Sequence, residues 1–272
     1  MTEQEKLWFA ALRQDRLESA DTLEKPSMRG VQRSVVDKYS DQAHFIYELL
    51  QNADDVKATS VHFNLRNDGL SFTHNGSVRF SVSDPDFEEQ DTDSGDLGHI
   101  NSITSIANSN KTVASIGKFG VGFKAVFQYT QTPHIYDPNI RFKINRFIVP
   151  HLLDEDIPWR EAPETVFWFP FDHEKKTPEE SFDDVSEKLQ ALDLPVLFLS
   201  NLKAVEFKTE NVAGRYTKTT KEIGHRQRNM IVRRETITLE LNGNKTEQRL
   251  LTFGRNGEHG LPYYICYALS SS

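Results

Sequence analysis

The chain predicts an α/β sandwich over residues 30–200: a mixed, largely antiparallel sheet with helices on one face. A strand-rich extension follows over residues 201–272. Three observations predict this. Apolar residues recur with a helical period over residues 41–57. Two neighbouring segments alternate with period two about Asn67-Asp68-Gly69. Further alternating runs crowd the chain after residue 200.

Residues 3–24 read as a helix, with Leu7, Trp8, Ala11 and Leu12 at helical spacing, ended by Pro26 and Gly30. This N-terminal arm, residues 1–29, either docks on a partner subunit or packs on its own domain. In the helix of residues 41–57, Asp41 is the N-cap candidate. Phe45, Ile46, Leu49, Leu50, Ala53 and Val56 fill one arc at ~100° per residue. Val61 to Leu65 and Leu70 to His74 form a hairpin about Asn67-Asp68-Gly69. Residues 75–116 are rich in Asn, Ser, Asp and Thr, and residues 84–96 hold seven acids and no Lys or Arg. A connection this long is usually functional or mobile; a short helix over 100–107 interrupts it. After a glycine cluster at 117–122, residues 123–129 read as helical. Strands are expected at 141–144 and 165–171, then a helix at 178–192. Four more strands follow at 204–208, 231–241, 248–253 and 263–268, with a turn at Asn242-Gly243-Asn244.

The composition bounds the function. Apolar residues make up 37% of the chain, enough for a core, and the single cysteine, Cys266, excludes a disulfide framework or a multi-cysteine zinc site. The formal charge of −8 gives no global pull toward nucleic acid or acidic membrane. No apolar run approaches the ~18 residues of a membrane span, and the acidic N-terminus is unlike a secretory signal. A cytoplasmic globular protein is expected.

Glu48, Asn52 and Asp55 stand at i, i+4 and i+7, within ~60° of one another on a helix. A carboxylate and a carboxamide one turn apart hold a water and a hard cation together: the carboxylate takes a proton, the amide oxygen ligates magnesium. Such a stripe is also what any solvated helix face presents. The glycine cluster, Gly-x-x-Gly-x-Gly, is neither a dinucleotide fingerprint nor a P-loop. It does place small residues before a helix N-terminus, where exposed N–H groups favour an anion, with Lys118 and Lys124 nearby. His74-Asn75-Gly76 ends the second hairpin strand, either as a plain turn or as a polar pair facing a base. From Arg215 to Arg234 there are seven basic residues and one acid, a nucleic-acid strip or the exposed faces of strands. The histidines show no metal-ligand spacing.

Taken in order, these motifs resemble the GHKL ATPase superfamily of gyrase B, ninety-kilodalton heat-shock chaperones, histidine kinases and MutL. Tyr47-Glu48-Leu49-Leu50-Gln51-Asn52-Ala53-Asp54-Asp55 is similar to its N-box. Ile116-Gly117-Lys118-Phe119-Gly120-Val121-Gly122-Phe123-Lys124 is similar to its phosphate-lid motif. The closer resemblance, over residues 30–172, is to the sacsin-type N-terminal ATPase module, through His44 to Asp55 and the His-Asn-Gly turn. It implies a Bergerat-type two-layer sandwich that binds ATP and Mg2+. Glu48 would be the general base, Asn52 the magnesium ligand and Asp55 a support at the adenosine end. Gly117, Lys118, Phe119, Gly120, Val121, Gly122, Phe123 and Lys124 would wrap the phosphates. Thr165 would contact water at the adenine. A lid over residues 77–116 would bring Lys111 to the phosphates. Most of the superfamily reads the adenine amino group with an Asp; here that position is His74, and His74 or Asn75 would have to accept instead.

The expected function is magnesium-dependent ATP binding with slow hydrolysis, driving lid closure and ATP-dependent homodimer formation within a larger protein. Two alternatives stay open. One is a nucleotide-sensing interaction module without turnover. The other is an ATP-gated factor that engages nucleic acid in bacterial defence or DNA maintenance.

Overall fold

Eleven strands form one continuous sheet in the computed structural model, which describes residues 1–28, 30, 31, 34, 44–106, 122–161, 163–223, 230–256 and 262–269. The chain is a mixed α/β structure with a large, mostly antiparallel, open sheet and few helices. At the centre lie β1 (Ser60–Arg66) and β2 (Gly69–His74), paired as the expected hairpin with Val61 opposite His74. Beyond β2 come β6 (Thr165–Pro170), β3 (His134–Tyr136), β4 (Arg141–Asn145) and β5 (Val149–Leu152). On the other side β7 (Ala204–Lys208) pairs parallel with β1, the one parallel pairing among the described strands. β8 (Ala213–Glu222), β9 (Met230–Leu241), β10 (Asn244–Asn256) and β11 (Pro262–Ala268) then extend the sheet as an antiparallel meander.

The extension is therefore continuous with the first sheet. The cause is local: Thr59 O accepts from both Lys203 N (2.9 Å) and Ala204 N (3.2 Å), which starts β7 in register beside β1. The β9–β10 turn carries positive φ at Asn242 (47°) and Gly243 (84°), the tight hairpin geometry that Asn-Gly favours. Cys266 is only partly buried because β11 is an edge strand among the described strands.

One face of the central sheet is aromatic. Phe63 and Phe72 stack at 4.8 Å, Phe72 and Phe167 at 5.7 Å, and Phe80 and Phe142 at 5.7 Å. Helix α2 (His44–Asp55) contributes Phe45, Ile46, Leu49, Leu50 and Ala53, all buried. Against it packs a 3-10 helix, Gly122–Gln128. α1 (Glu3–Leu23) packs on β5 of its own chain, burying Phe9, Leu12, Ala20 and Leu23. Its far end is tied down by Arg146, which donates to Asp21 and Glu24 at 2.7 Å each.

The acidic stretch is ordered by that same helix. It forms a short turn at Pro85–Phe87, then α3 (Glu88–Ser94) and α4 (His99–Thr104). Buried Arg16 pairs with Glu88, and Trp8 Nε1 donates to Asp84 at 3.1 Å. Phe80, Val82, Ile100 and Ile103 enter the core. Residues 77–106 are thus packed structure, and the rest of the expected lid lies outside the described residues. α5 (Pro178–Gln190) begins with a capping box at Thr177 and Glu180. No helix among the described residues is long and apolar enough to cross a membrane.

Candidate functional site

The polar stripe of α2 is not a solvated face. Asn52 is 4% exposed, and Glu48 and Asp55 are half-buried, because the helix lies under the sheet on one side and against the 3-10 helix on the other. Gly122, the last glycine of the cluster, sits on Glu48. A Cβ added to Gly122 would overlap the Glu48 carboxylate, which would have to move aside. Segments more than seventy residues apart in sequence thus meet at the carboxylate expected to act as base.

The two adjacent acids on α2 do different work. Asp54 is buried and accepts backbone N–H bonds from Ser200 (2.9 Å), Asn201 (2.6 Å) and Leu202 (2.7 Å), fixing the loop before β7. Asp55 Oδ2 is buried with no hydrogen-bond partner. Burial, with the neighbouring charges of Asp54 and Glu48, pushes its pKa up to about 7.

The His74-Asn75-Gly76 turn closes against the end of α2. Ser77 N donates to Val56 O at 2.9 Å, and a Cβ on Gly76 would strike Val56 and the His74 ring. His74 is 3% exposed and lies beside Phe72 and Phe167, with ring centroids at 6.0 and 5.9 Å. Its Nδ1 accepts from Gly76 N at 3.1 Å. Burial and the nearby Arg79 guanidinium lower its pKa to about 4. The neutral ring therefore carries its proton on Nε2, which is buried and unpartnered. That corrects the expectation of an acceptor: in this geometry His74 presents a donor. Asn75 is exposed, and its carbonyl oxygen accepts from Thr59 N (2.9 Å) and Ser60 N (3.1 Å). Its role is to close the α2–β1 connection, and its two lone pairs are taken.

Thr165, opposite His74 in the β2–β6 register, is fully buried and donates to Asp137 Oδ2 at 2.6 Å. Phe123 is core. Lys124 departs from its expected place by the phosphates. It is fully buried, its Nζ donates to Phe147 O at 3.0 Å, and it lies over the Phe127 and Phe147 rings. Burial and the charge of Arg16 hold its pKa well below the lysine range. Positive φ at Arg146 (48°) and Phe147 (72°) marks the tight turn whose Phe147 carbonyl receives this lysine. Lys111, Gly117, Lys118, Phe119, Gly120 and Val121 lie outside the described residues.

Arg79 joins this site without any signal in the sequence. Its Nη1 is buried and unpartnered, and its charge acts on His74. A lone arginine in Ser-Val-Arg-Phe belongs to no pattern. Of the basic stretch, the described residues are not uniformly free. Arg215 pairs with Glu206 at 3.2 Å, Lys218 is buried, and Arg226 and Arg228 lie outside the described residues.

Comparison with known proteins falls on the same part of the chain. Residues 27–142 match the family model of the Sacsin domain. Sacsin of Homo sapiens is 28% identical over 165 residues, which cover 51% of this chain and 3% of that protein. Protein NO VEIN of Arabidopsis thaliana is 30% identical over 114 residues, covering 39% of this chain and 4% of its own. The chain thus spans a few hundredths of the length of these relatives. The comparisons support a sacsin-type module over the stretch that carries Glu48, Asn52, His74 and Gly122.

Proposed function

We propose that this module binds ATP with magnesium between α2 and the glycine cluster and hydrolyses it slowly, in the manner of the two-layer Bergerat ATPases. One observation carries the reading: buried Asn52 and half-buried Glu48 share a face of α2, and the Gly122 backbone presses directly on the Glu48 carboxylate. A solvated stripe would have neither burial nor a glycine partner.

The residues present fit a metal that arrives with its triphosphate. No group of three His, Cys, Asp or Glu side chains among the described residues is placed to hold a metal alone. Asn52 offers one oxygen, which suits magnesium coordinated mainly by phosphates and water. Bound magnesium would neutralise charge on the phosphates. Glu48 would take the proton of the attacking water, and Gly122 would bring its backbone close to the reacting end. Lid closure on ATP, association of two copies and reset on hydrolysis would make the output conformational. Asp54 gives such a change a route: it rides on α2 and holds the loop that leads into β7.

The experiment is phosphate release from magnesium-ATP by the wild type and Glu48→Gln. Loss of a general base costs about 10²–10⁴-fold in turnover with affinity changed only a few-fold. Equal turnover in both would remove Glu48 from the reaction. Binding without turnover in the wild type would favour a nucleotide sensor instead.

A further inference from the structure

The central sheet has a second face, away from α2. Phe63 and Leu65 of β1 are buried on the aromatic side, so His62 and Asn64 turn to the other. Ser71 and Thr73 on β2 and Glu206 on β7 share that side, and His62 stands opposite both Thr73 and Glu206. A polar sheet face is ordinarily flat and wet. Here Trp159, Glu161 and Glu164, from the segment between β5 and β6, join the strands in enclosing a cleft of about 610 Å³, the size of a small-ligand site. Ser71 on its floor is buried.

The charges of this cleft do not cancel. Its arginine, Arg66, is already engaged: it donates to Asp68 at 3.0 and 2.9 Å and lies 5.4 Å from the centre of the Trp168 ring. Burial lowers the pKa of His62, so the imidazole adds no charge at neutral pH. Arg160 folds back on its own segment, donating to Asp156 at 2.8 Å and to the Glu164 carbonyl at 3.1 Å. Among the described residues no Lys or Arg pairs with the carboxylate of Glu161 or Glu164. Burial and the charge of Glu161 raise the pKa of Glu164, as when two carboxylates share a space without a counterion.

The third acid is on the far wall. Glu206 pairs with Arg215 at 3.2 Å, and in that half-exposed pair its carboxylate keeps lone pairs for a second donor. From β7 across β1 and β2 to β6 is three strand spacings, about 14 Å. A single ammonium cannot touch both walls, whereas an aliphatic chain with an ammonium at each end can. No three acids or histidines among the described residues converge to hold a metal ion, so the negative charge is spread out, as an extended organic cation requires. Trp159 is 46% exposed, and its ring can take an ammonium or the adjoining methylenes.

We propose that this cleft binds an aliphatic polyamine, with one ammonium at Glu161 and Glu164 against Trp159 and the other at Glu206. The site lies on the opposite side of the sheet from Glu48 and Asn52 and stands independently of the nucleotide reading.

The test is calorimetric titration of spermidine into the full chain at low salt, without nucleotide. Spermidine should saturate one site per chain, and n-butylamine, with a single ammonium, should bind about tenfold more weakly. The double variant Glu161→Gln, Glu164→Gln should lose about tenfold or more in spermidine affinity. Trp159→Leu should lose about threefold. Glu206→Gln should bring spermidine down to the level of n-butylamine and leave n-butylamine unchanged. Glu179→Gln, which removes the same charge from exposed α5, should match the wild type. No saturable binding, equal affinity for spermidine and n-butylamine, or equal displacement by magnesium at the same ionic strength would overturn the proposal. So would a loss in Glu179→Gln as large as in the double variant. The comparison of the two amines uses wild-type protein and needs no variant to fold.

Discussion

Two of the buried polar clusters among the described residues are built on opposite principles. In the extension, Glu235 is 4% exposed and accepts from Thr220 Oγ1 at 2.5 Å and Thr252 Oγ1 at 3.5 Å. Lys218 beside it donates to the carbonyls of Leu197 and Leu199, and every group there has a partner. At the end of α2, Asp55, His74 and Arg79 each leave a buried atom unpaired. A satisfied network fixes structure, and an unsatisfied one is costly unless something else completes it. The first cluster holds strands together; under the proposed function, the second has groups that a bound ligand would complete.

The largest expected effect breaks the ligand side alone. In Gly122→Ala the new Cβ must displace the Glu48 carboxylate. A misplacement of about 1 Å at a catalytic group costs about 100-fold, so phosphate release should fall by that much while thermal stability stays near wild type. Next comes the extension. Glu235→Ala leaves Lys218 buried beside two unpaired threonine hydroxyls, and denaturant unfolding should show a loss of about 2 kcal/mol. Nucleotide affinity should not change, and an equal loss of affinity would mean that the two clusters are one.

The smallest effect is electrostatic. Asp55 binds its proton more tightly folded than unfolded, with a pKa of about 7 against an ordinary carboxylate value. The folded state is therefore favoured at low pH, and that stability is lost as pH rises through 7. Asp55→Asn should raise the melting temperature at pH 8 by the equivalent of ~1 kcal/mol, since the group is only half-buried and water screens it. The gain should fade toward pH 5. A gain that persists at pH 5 would point to packing in place of charge.

What the sequence made legible follows from pattern strength. The α2 arc, the β1–β2 hairpin about Asn67-Asp68-Gly69 and the β9–β10 turn carry strong periodicity or turn chemistry, and each stands where expected. β8 was hidden because Arg215 to Glu222 is mostly Thr, Lys and Arg, with Tyr216 its lone apolar residue. β3 and β5 are too short to show a period. α3 lies in an acidic run whose order comes from Arg16, a contact between residues far apart in the chain. In the site, the spacing of Glu48, Asn52 and Asp55 was readable. The split between Asp54 and Asp55 was not, because it depends on where residues 200–202 pass. Lys124 shares a motif with Gly122 but turns the other way, drawn to a carbonyl exposed by the turn at Phe147. The tautomer of His74 needed the Gly76 contact.

The most direct test of the central claim is calorimetric titration of magnesium-ATP into the wild type and into Asn52→Ala. The account predicts saturable binding at one nucleotide per chain, weakened about tenfold or more when the magnesium oxygen is removed. No saturable heat with the wild type, or identical curves for both proteins, would contradict it.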